Sequence, residues 1–166
     1  MTCFWVGILH SLSLSEYQLA KSEYIPINNP LKLVTLLKTN NQLTNSIKIN
    51  DRSLSDQELT ENHNAINEYN ISNICDGYFC STSDPFLCLV SQIFEINITH
   101  KFNDCDIRYT NDKSKKIVYY QSNNDHFWFI RSSNITISSN DNIQANTNIS
   151  DCKEIIKLPI TRKKYR

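Results

Sequence analysis

The chain has 166 residues, and its 17 Lys and Arg residues balance 17 Asp and Glu residues, so the formal net charge is zero. This length fits one domain with a core of useful size. The balanced charge argues against a protein that binds nucleic acid or a membrane surface mainly through bulk charge. No apolar run approaches the ~20 residues of a membrane span, and the first residues lack the basic flank of a signal peptide.

We therefore expect a soluble, monomeric, cytoplasmic protein with no nucleic-acid and no membrane partner. The chain is also rich in Asn, Ile and Lys. This composition is compatible with a virus or an intracellular microbe, in which case the compartment would be the host cytoplasm.

The first half of the chain predicts helices. Apolar residues recur at helical spacing over 3–14, which predicts a mostly buried helix with Cys3 in its first turn. Asn29 and Pro30 open a second predicted helix over 30–38. The side chains that we expect on its inward face are Leu31, Val34 and Leu37.

Two further helices follow. The segment 53–69 predicts a polar helix, and its Ser55-Asp56-Gln57-Glu58 start is typical of a capped, acidic first turn. Asp76-Gly77 is a turn signal. Ser83-Asp84-Pro85 then caps a helix over 86–94 that is apolar nearly all round and therefore central.

The second half of the chain predicts strands. Residues alternate between apolar and polar over four short segments rich in β-branched and aromatic side chains: 96–100, 106–109, 116–120 and 126–130. Helices followed by strands indicate an α+β domain in which N-terminal helices pack on a small antiparallel sheet. We place this domain at residues 1–131. Residues 132–166 are expected to form an Asn- and Ser-rich loop with a basic tail, from which one last strand can also form.

The cysteines do not favour a zinc site or a disulfide framework. Six are present, at positions 3, 75, 80, 88, 105 and 152, and no C-x-x-C pair occurs among them. We therefore expect no metal and no cofactor. The N-x-[ST] triplets at Asn70, Asn97, Asn134 and Asn148 would carry glycans in a secreted protein. They arise easily by chance in this composition, and a secreted glycoprotein is the weakest alternative.

Cys3 and His126 are the candidate catalytic pair. The thiolate is the nucleophilic form of cysteine, and a helix N-terminus beside a histidine stabilises it. His126 opens the aromatic strand His126-Phe127-Trp128-Phe129, directly after a polar turn. A cysteine at a helix start and a histidine on a sheet are the arrangement of papain-like enzymes. Three other histidines are weaker candidates. We expect His10 in the middle of a helix, His63 on a polar helix face and His100 at the end of a strand.

The order of these motifs resembles the ovarian tumour (OTU) family of deubiquitinating cysteine proteases. In that family a D-G-x-C-[FL]-[FWY]-x-x-[ILV] segment opens the nucleophile helix, and this chain has Cys3-Phe4-Trp5-Val6-Gly7-Ile8-Leu9 there. The segment 76–98, with its Asp-Gly-aromatic turn, helix and strand, is similar to a later part of the family. The strand His126-Phe127-Trp128 is similar to its catalytic "H-[FYW]" strand. The resemblance covers roughly residues 3–130.

This resemblance implies a papain-like fold and cysteine-dependent cleavage of isopeptide or peptide bonds to ubiquitin or a ubiquitin-like protein. Cleavage of a polyprotein is compatible with it. Cys3 is the implied nucleophile and His126 the implied general base. Tyr78, Phe79 and Trp128 are guesses for the walls of the substrate groove, although each is also an ordinary core residue.

Two family features are not matched. The Asp-Gly pair before the cysteine, which helps to form the oxyanion hole, would fall at or before Met1. Either the chain is a piece of a longer protein, or the hole is formed otherwise. The position two residues after the histidine, often Asp or Asn in the family, is Trp128. The third triad member is then Asn124 or Asp125, or the site is a Cys–His dyad. The main alternative is a catalytically inactive α+β domain that binds a protein.

Overall fold

The computed structural model describes residues 3–20 and 29–135. Within these residues the protein is mixed α+β, with five α-helices and one six-stranded, mostly antiparallel sheet. The predicted fold class is confirmed at this level. Most of the loop and tail expected at 132–166 lies outside the described residues, and positions 132–134 belong to the last strand. No described helix has the length and apolar character needed to cross a membrane.

The helices begin where the sequence places their caps. They are α1 Cys3–Ser11, α2 Leu14–Leu19, α3 Pro30–Thr39, α4 Asp56–Glu68 and α5 Pro85–Ile93, with a 3-10 helix at Ile71–Cys75. The side chain of Asn29 accepts the first-turn N–H of Lys32, and Ser55 forms a capping box with Glu58. These bonds satisfy backbone donors that a helix start leaves unpaired.

Two helical predictions are wrong in detail. The single helix expected over 3–14 ends at Ser11, because Ser13 caps the separate helix α2. In α3 the buried side chains include Leu33, Val34 and Leu37, whereas Leu31 is 49% exposed. Leu31 is two residues, or about 200° of helical rotation, from Leu33, so it falls outside the buried stripe.

The sheet contains two strands and one pairing that the sequence did not predict. Its strands are β1 Ile47–Ile49, β2 Arg52–Ser53, β3 Asn97–Phe102, β4 Cys105–Asn111, β5 Lys116–Ser122 and β6 Phe127–Asn134. Their order is β2-β1-β4-β3-β5-β6. β1 and β2 are too short to show an alternating pattern. β3 and β5 are parallel rather than antiparallel. β4 runs antiparallel to β3, and its far edge is occupied by β1. The chain therefore returns past β4 and pairs β5 with the free edge of β3, in the same direction as β3.

Helix α1 lies directly against β6, and this packing creates the candidate site. A Cβ atom added to Gly7 would lie 2.9 Å from Cδ1 of Phe127, so only glycine permits this approach. About one helical turn before Gly7, the ring of Phe4 contacts the ring of Phe127 at a centroid distance of 4.8 Å. The first turn of α1 is thereby held at the start of β6.

Candidate active site

Cys3 contacts Phe127, the first residue of β6, which directly follows His126 in the chain. The backbone N–H of Phe127 points to Cys3 Sγ at an N···S distance of 3.4 Å. The nitrogen of Phe127 is bonded to the carbonyl carbon of His126, so the backbone of His126 is also next to the thiol.

Cys3 and His126 both line one open cleft of about 690 Å³. One wall is the segment 75–80 after the 3-10 helix, and the other is the turn between β5 and β6. The full set of lining residues is Cys3, Cys75, Asp76, Gly77, Tyr78, Phe79, Cys80, Phe102, Ser122, Asn123, Asn124, Asp125, His126 and Phe127. The structure therefore brings six of the seven predicted site residues to one cleft: Cys3, Tyr78, Phe79, Asn124, Asp125 and His126.

The β5–β6 turn is organised by Asn123, which sequence analysis did not single out. Its side-chain oxygen accepts the backbone N–H groups of Asp125 and His126 at 2.9 and 2.8 Å. Its own N–H donates to the carbonyl of His126 at 3.0 Å. Asn123 thus determines the backbone position of His126. An asparagine that bonds its own backbone two residues on is a common turn device, and this signal was available in the sequence.

The His126 ring packs against Trp128, with the two ring planes inclined by 56°, rather than bonding to Cys3. The two ring centroids are 4.4 Å apart, and in the described part of the chain no hydrogen bond joins the imidazole to Cys3 Sγ. Phe127 points toward α1, so Trp128, the next residue of β6, projects from the other face of the strand, and the His126 ring contacts it there. The imidazole must turn about its side-chain bonds to reach the thiol.

Neither candidate for the third triad member supports the imidazole. Asn124 and Asp125 are exposed in the turn, and within residues 3–20 and 29–135 neither side chain bonds to the His126 ring. Trp128, which occupies the position where the OTU family often has Asp or Asn, offers an aromatic face instead. The described geometry is that of two catalytic candidates without an acidic partner.

The two aromatic residues of the 75–80 wall differ in their surroundings. Tyr78 packs on Phe4 at 4.4 Å between centroids, and its hydroxyl donates to Asp84 at 2.9 Å. Phe79 is 82% exposed at the rim of the cleft. Tyr78 therefore holds the wall against the core, and Phe79 is the aromatic group free to contact a ligand.

Buried Asp84 anchors this wall. Its carboxylate accepts the N–H groups of Phe86 and Leu87 at the start of α5, and also the N–H of Ser81. Burial raises the pKa of Asp84 to about 6, opposed by these hydrogen bonds and by the Tyr78 hydroxyl. Burial of the Cys80 thiol likewise raises its pKa far above the ordinary value. Cys80 is therefore a poor nucleophile although it lines the cleft.

A buried histidine lies below the floor of the cleft. His100 is fully buried, and its Nε2 is 2.7 Å from Oγ of Ser122, which lines the cleft. Burial lowers the pKa of His100 to about 4, which keeps the ring neutral at pH 7. His100 lies within β3 and not at the end of a strand, where the predicted segment 96–100 had put it. The alternation with buried Ile98 was the signal that pointed inward.

Comparisons with protein-family models, with curated proteins and with solved structures found no match. The resemblance to the OTU family therefore rests on the sequence motifs alone.

Proposed function

We propose that this protein is a cysteine-dependent hydrolase of ubiquitin or a ubiquitin-like protein, with Cys3 as nucleophile and His126 as general base. The observation that carries the proposal is the 3.4 Å contact between the Phe127 N–H and Cys3 Sγ. It joins the thiol at the start of α1 to the backbone of His126, in a cleft that both residues line.

The proposed reaction uses two side chains of the cleft, Cys3 and His126, together with water. The thiolate of Cys3 attacks the carbonyl carbon of an isopeptide or peptide bond, and His126 holds the proton taken from the thiol. The C–N bond breaks, and His126 gives this proton to the leaving amine. Water activated by His126 then attacks the thioester, the C–S bond breaks, and a carboxylate and the free thiol are released.

The substrate class rests on the sequence motifs and on the shape of the site. A cleft between two loops admits an extended chain, and a ubiquitin-like protein presents its cleavable bond on an extended C-terminal tail. Phe79, at the rim, supplies apolar surface for such a segment.

The second candidate is a non-catalytic protein-binding domain. The contact between His126 and Trp128 favours it, because it holds the imidazole against the tryptophan rather than at Cys3 Sγ. In such a domain Phe79, Trp128 and Ile130 would serve as exposed apolar contacts.

Covalent labelling separates the two candidates. Wild-type protein is incubated with a ubiquitin-propargyl probe, whose alkyne sits where the cleavable carbonyl would be, and the adduct is detected as a gel shift and by mass spectrometry. We expect labelling of the wild type and its loss in Cys3→Ala and in His126→Ala. Cys105→Ala and His63→Ala are matched controls, because both side chains are exposed and neither lines the cleft.

The outcomes are distinct. An adduct on Cys3 that depends on His126 supports the hydrolase. A folded wild type that binds ubiquitin without forming an adduct supports the binding domain. Modification that persists in Cys3→Ala would show that another thiol reacts and would overturn the assignment of Cys3.

A further inference from the structure

We propose that Ser122 donates a hydrogen bond to the substrate carbonyl in the cleft, and that His100 holds its hydroxyl in this orientation. The inference rests on the proposed hydrolase and adds a substrate-binding donor to it. His100 is then a positioning residue, since it acts through Ser122. No sequence motif pointed to either side chain.

The strand register places Ser122 beside the nucleophile. Ser122 in β5 is the direct partner of Phe127 in β6, so the two side chains lie side by side on the same face of the sheet. Phe127 is also the residue whose N–H contacts Cys3 Sγ. Ser122 is 2% exposed and forms part of the cleft floor. A carbonyl group attacked by Cys3 is therefore brought close to this hydroxyl.

The partners of the imidazole determine which way the hydroxyl points. His100 Nε2 is 2.7 Å from Ser122 Oγ, whereas buried His100 Nδ1 has no hydrogen-bond partner. A buried N–H without an acceptor is rarely tolerated in folded proteins. The proton of the neutral ring therefore belongs on Nε2, which donates to Ser122 Oγ and leaves only a lone pair unpaired on Nδ1.

This tautomer leaves the serine proton available to a ligand. Ser122 Oγ accepts from His100, and among the described residues it forms no other hydrogen bond. Its O–H can thus be donated to an acceptor that enters the cleft. A donor held in place before the reaction stabilises the negative charge that develops on a carbonyl oxygen, because it needs no reorganisation.

Aromatic neighbours pack around the fully buried His100 ring and keep water away from it. The His100 ring lies 5.6 Å from Phe127 and 6.1 Å from Phe102, measured between centroids, and both phenyl rings line the cleft. Removal of water strengthens the hydrogen bond between the ring and the serine.

The test compares hydrolysis with labelling in Ser122→Ala. Hydrolysis of a ubiquitin–aminocoumarin amide passes through an oxyanion, whereas attack on the propargyl probe does not. We expect kcat for the amide to fall on the order of 10- to 100-fold with little change in KM. The rate of Cys3 labelling by the probe should stay within about twofold of wild type, because loss of one oxyanion donor leaves thiol reactivity intact.

Variants of His100 test the positioning role. His100→Gln keeps an N–H donor near Ser122 and should retain most of the activity, while His100→Leu should lose as much as Ser122→Ala. The double variant Ser122→Ala/His100→Leu should lose no more than either single variant, since both act through one hydrogen bond. Additive losses would overturn the coupling.

A spectroscopic measurement on the wild type tests the inference without any variant and without a measurement of activity. Long-range ¹H–¹⁵N correlation spectra of the wild type should show His100 protonated on Nε2 alone at pH 7. Protonation on Nδ1 would make Ser122 the donor to His100 and would overturn the inference. A wild type that labels and hydrolyses, with Ser122→Ala equally fast, overturns the inference alone. A wild type that neither labels nor hydrolyses overturns the proposed function as well.

Discussion

The backbone N–H of Phe127 contacts Cys3 Sγ at 3.4 Å, although the two residues are 124 positions apart in the chain. The contact joins the first turn of α1 to the first residue of β6, and it depends on how closely the helix and the strand approach. Substitutions that disturb this approach should therefore slow the reaction of Cys3 even where the rest of the fold is kept.

Gly7→Ala should disturb it most directly. The new Cβ would lie 2.9 Å from Cδ1 of Phe127, whose ring is packed in the core and cannot move aside freely. Overpacking of this kind costs about 1–3 kcal/mol, offset by about 1 kcal/mol of gained helix propensity. We expect a lower free energy of unfolding in urea and slower labelling of Cys3.

Gly77→Ala tests the wall of the cleft separately, since Gly77 lines the cleft. Gly77 has a φ of 115° and open space around its Cα, so alanine there strains only the backbone. Labelling of Gly7→Ala at the wild-type rate would contradict the role of the approach of α1 to β6.

Asn123→Ala should loosen the turn that positions His126. The variant removes the oxygen that accepts the N–H groups of Asp125 and His126, and each lost hydrogen bond costs about 1 kcal/mol. We expect faster amide exchange at these two positions and slower probe labelling. Asn123→Asp keeps the acceptor and should stay close to wild type. Equal exchange rates in all three proteins would contradict this role.

Trp128→Ala should release the imidazole of His126. A contact between aromatic rings is worth about 0.5–1.5 kcal/mol, so its removal should shift the imidazole toward other rotamers, including those that reach Cys3. We expect the rate of labelling by the ubiquitin probe to rise by a factor of about 2–10. Ile130→Ala removes an exposed apolar side chain from the same strand without touching the ring, and it should leave the rate unchanged. A slower Trp128→Ala would instead assign the tryptophan to ubiquitin binding.

His100 should make stability depend on pH. Burial lowers the pKa of its imidazole in the folded protein to about 4, from an ordinary value of 6.5. Between these two values the unfolded chain binds a proton that the folded protein does not, so stability falls as pH falls from 6.5 to 4. The loss between pH 7.5 and 4.5 should be about 2–3 kcal/mol.

Urea unfolding of wild type and His100→Gln at several pH values measures this contribution. Asp84 has the opposite effect, because its raised pKa keeps a proton on the folded protein up to about pH 6. Both proteins contain Asp84, so the difference between their curves isolates His100. Two parallel curves would mean that the imidazole is not buried as described.

Lys116→Met should be costly because it breaks an ion pair with little access to water. Lys116 Nζ bonds to Glu16 at 3.0 Å and to the carbonyl of Ser11 at 2.7 Å, and the two charged side chains are only 14% and 12% exposed. The variant leaves the Glu16 carboxylate without its cation, which should cost about 2–4 kcal/mol of stability. Arg108→Met breaks an exposed pair with Asp51 and should cost about 0–1 kcal/mol. Similar losses in both variants would contradict the difference in burial.

The sequence alone determined where three helices start and where the four longer strands lie. The caps at Asn29, Ser55 and Asp84 predicted the helix starts, because capping bonds are formed within a few residues of the chain. Alternation predicted the four longer strands, because the side chains of a strand that is buried on one face must alternate.

Only the tertiary structure decided what these elements bring together. The parallel pairing of β3 with β5 places His100 beside Ser122, and the close packing of Gly7 on Phe127 brings Cys3 to the start of β6, next to His126. The direction of the His126 ring, toward Trp128 rather than Cys3, is likewise a matter of packing. Such contacts depend on strand order and on the distance between layers, to which residues far apart in the chain contribute jointly, so no local pattern encodes them.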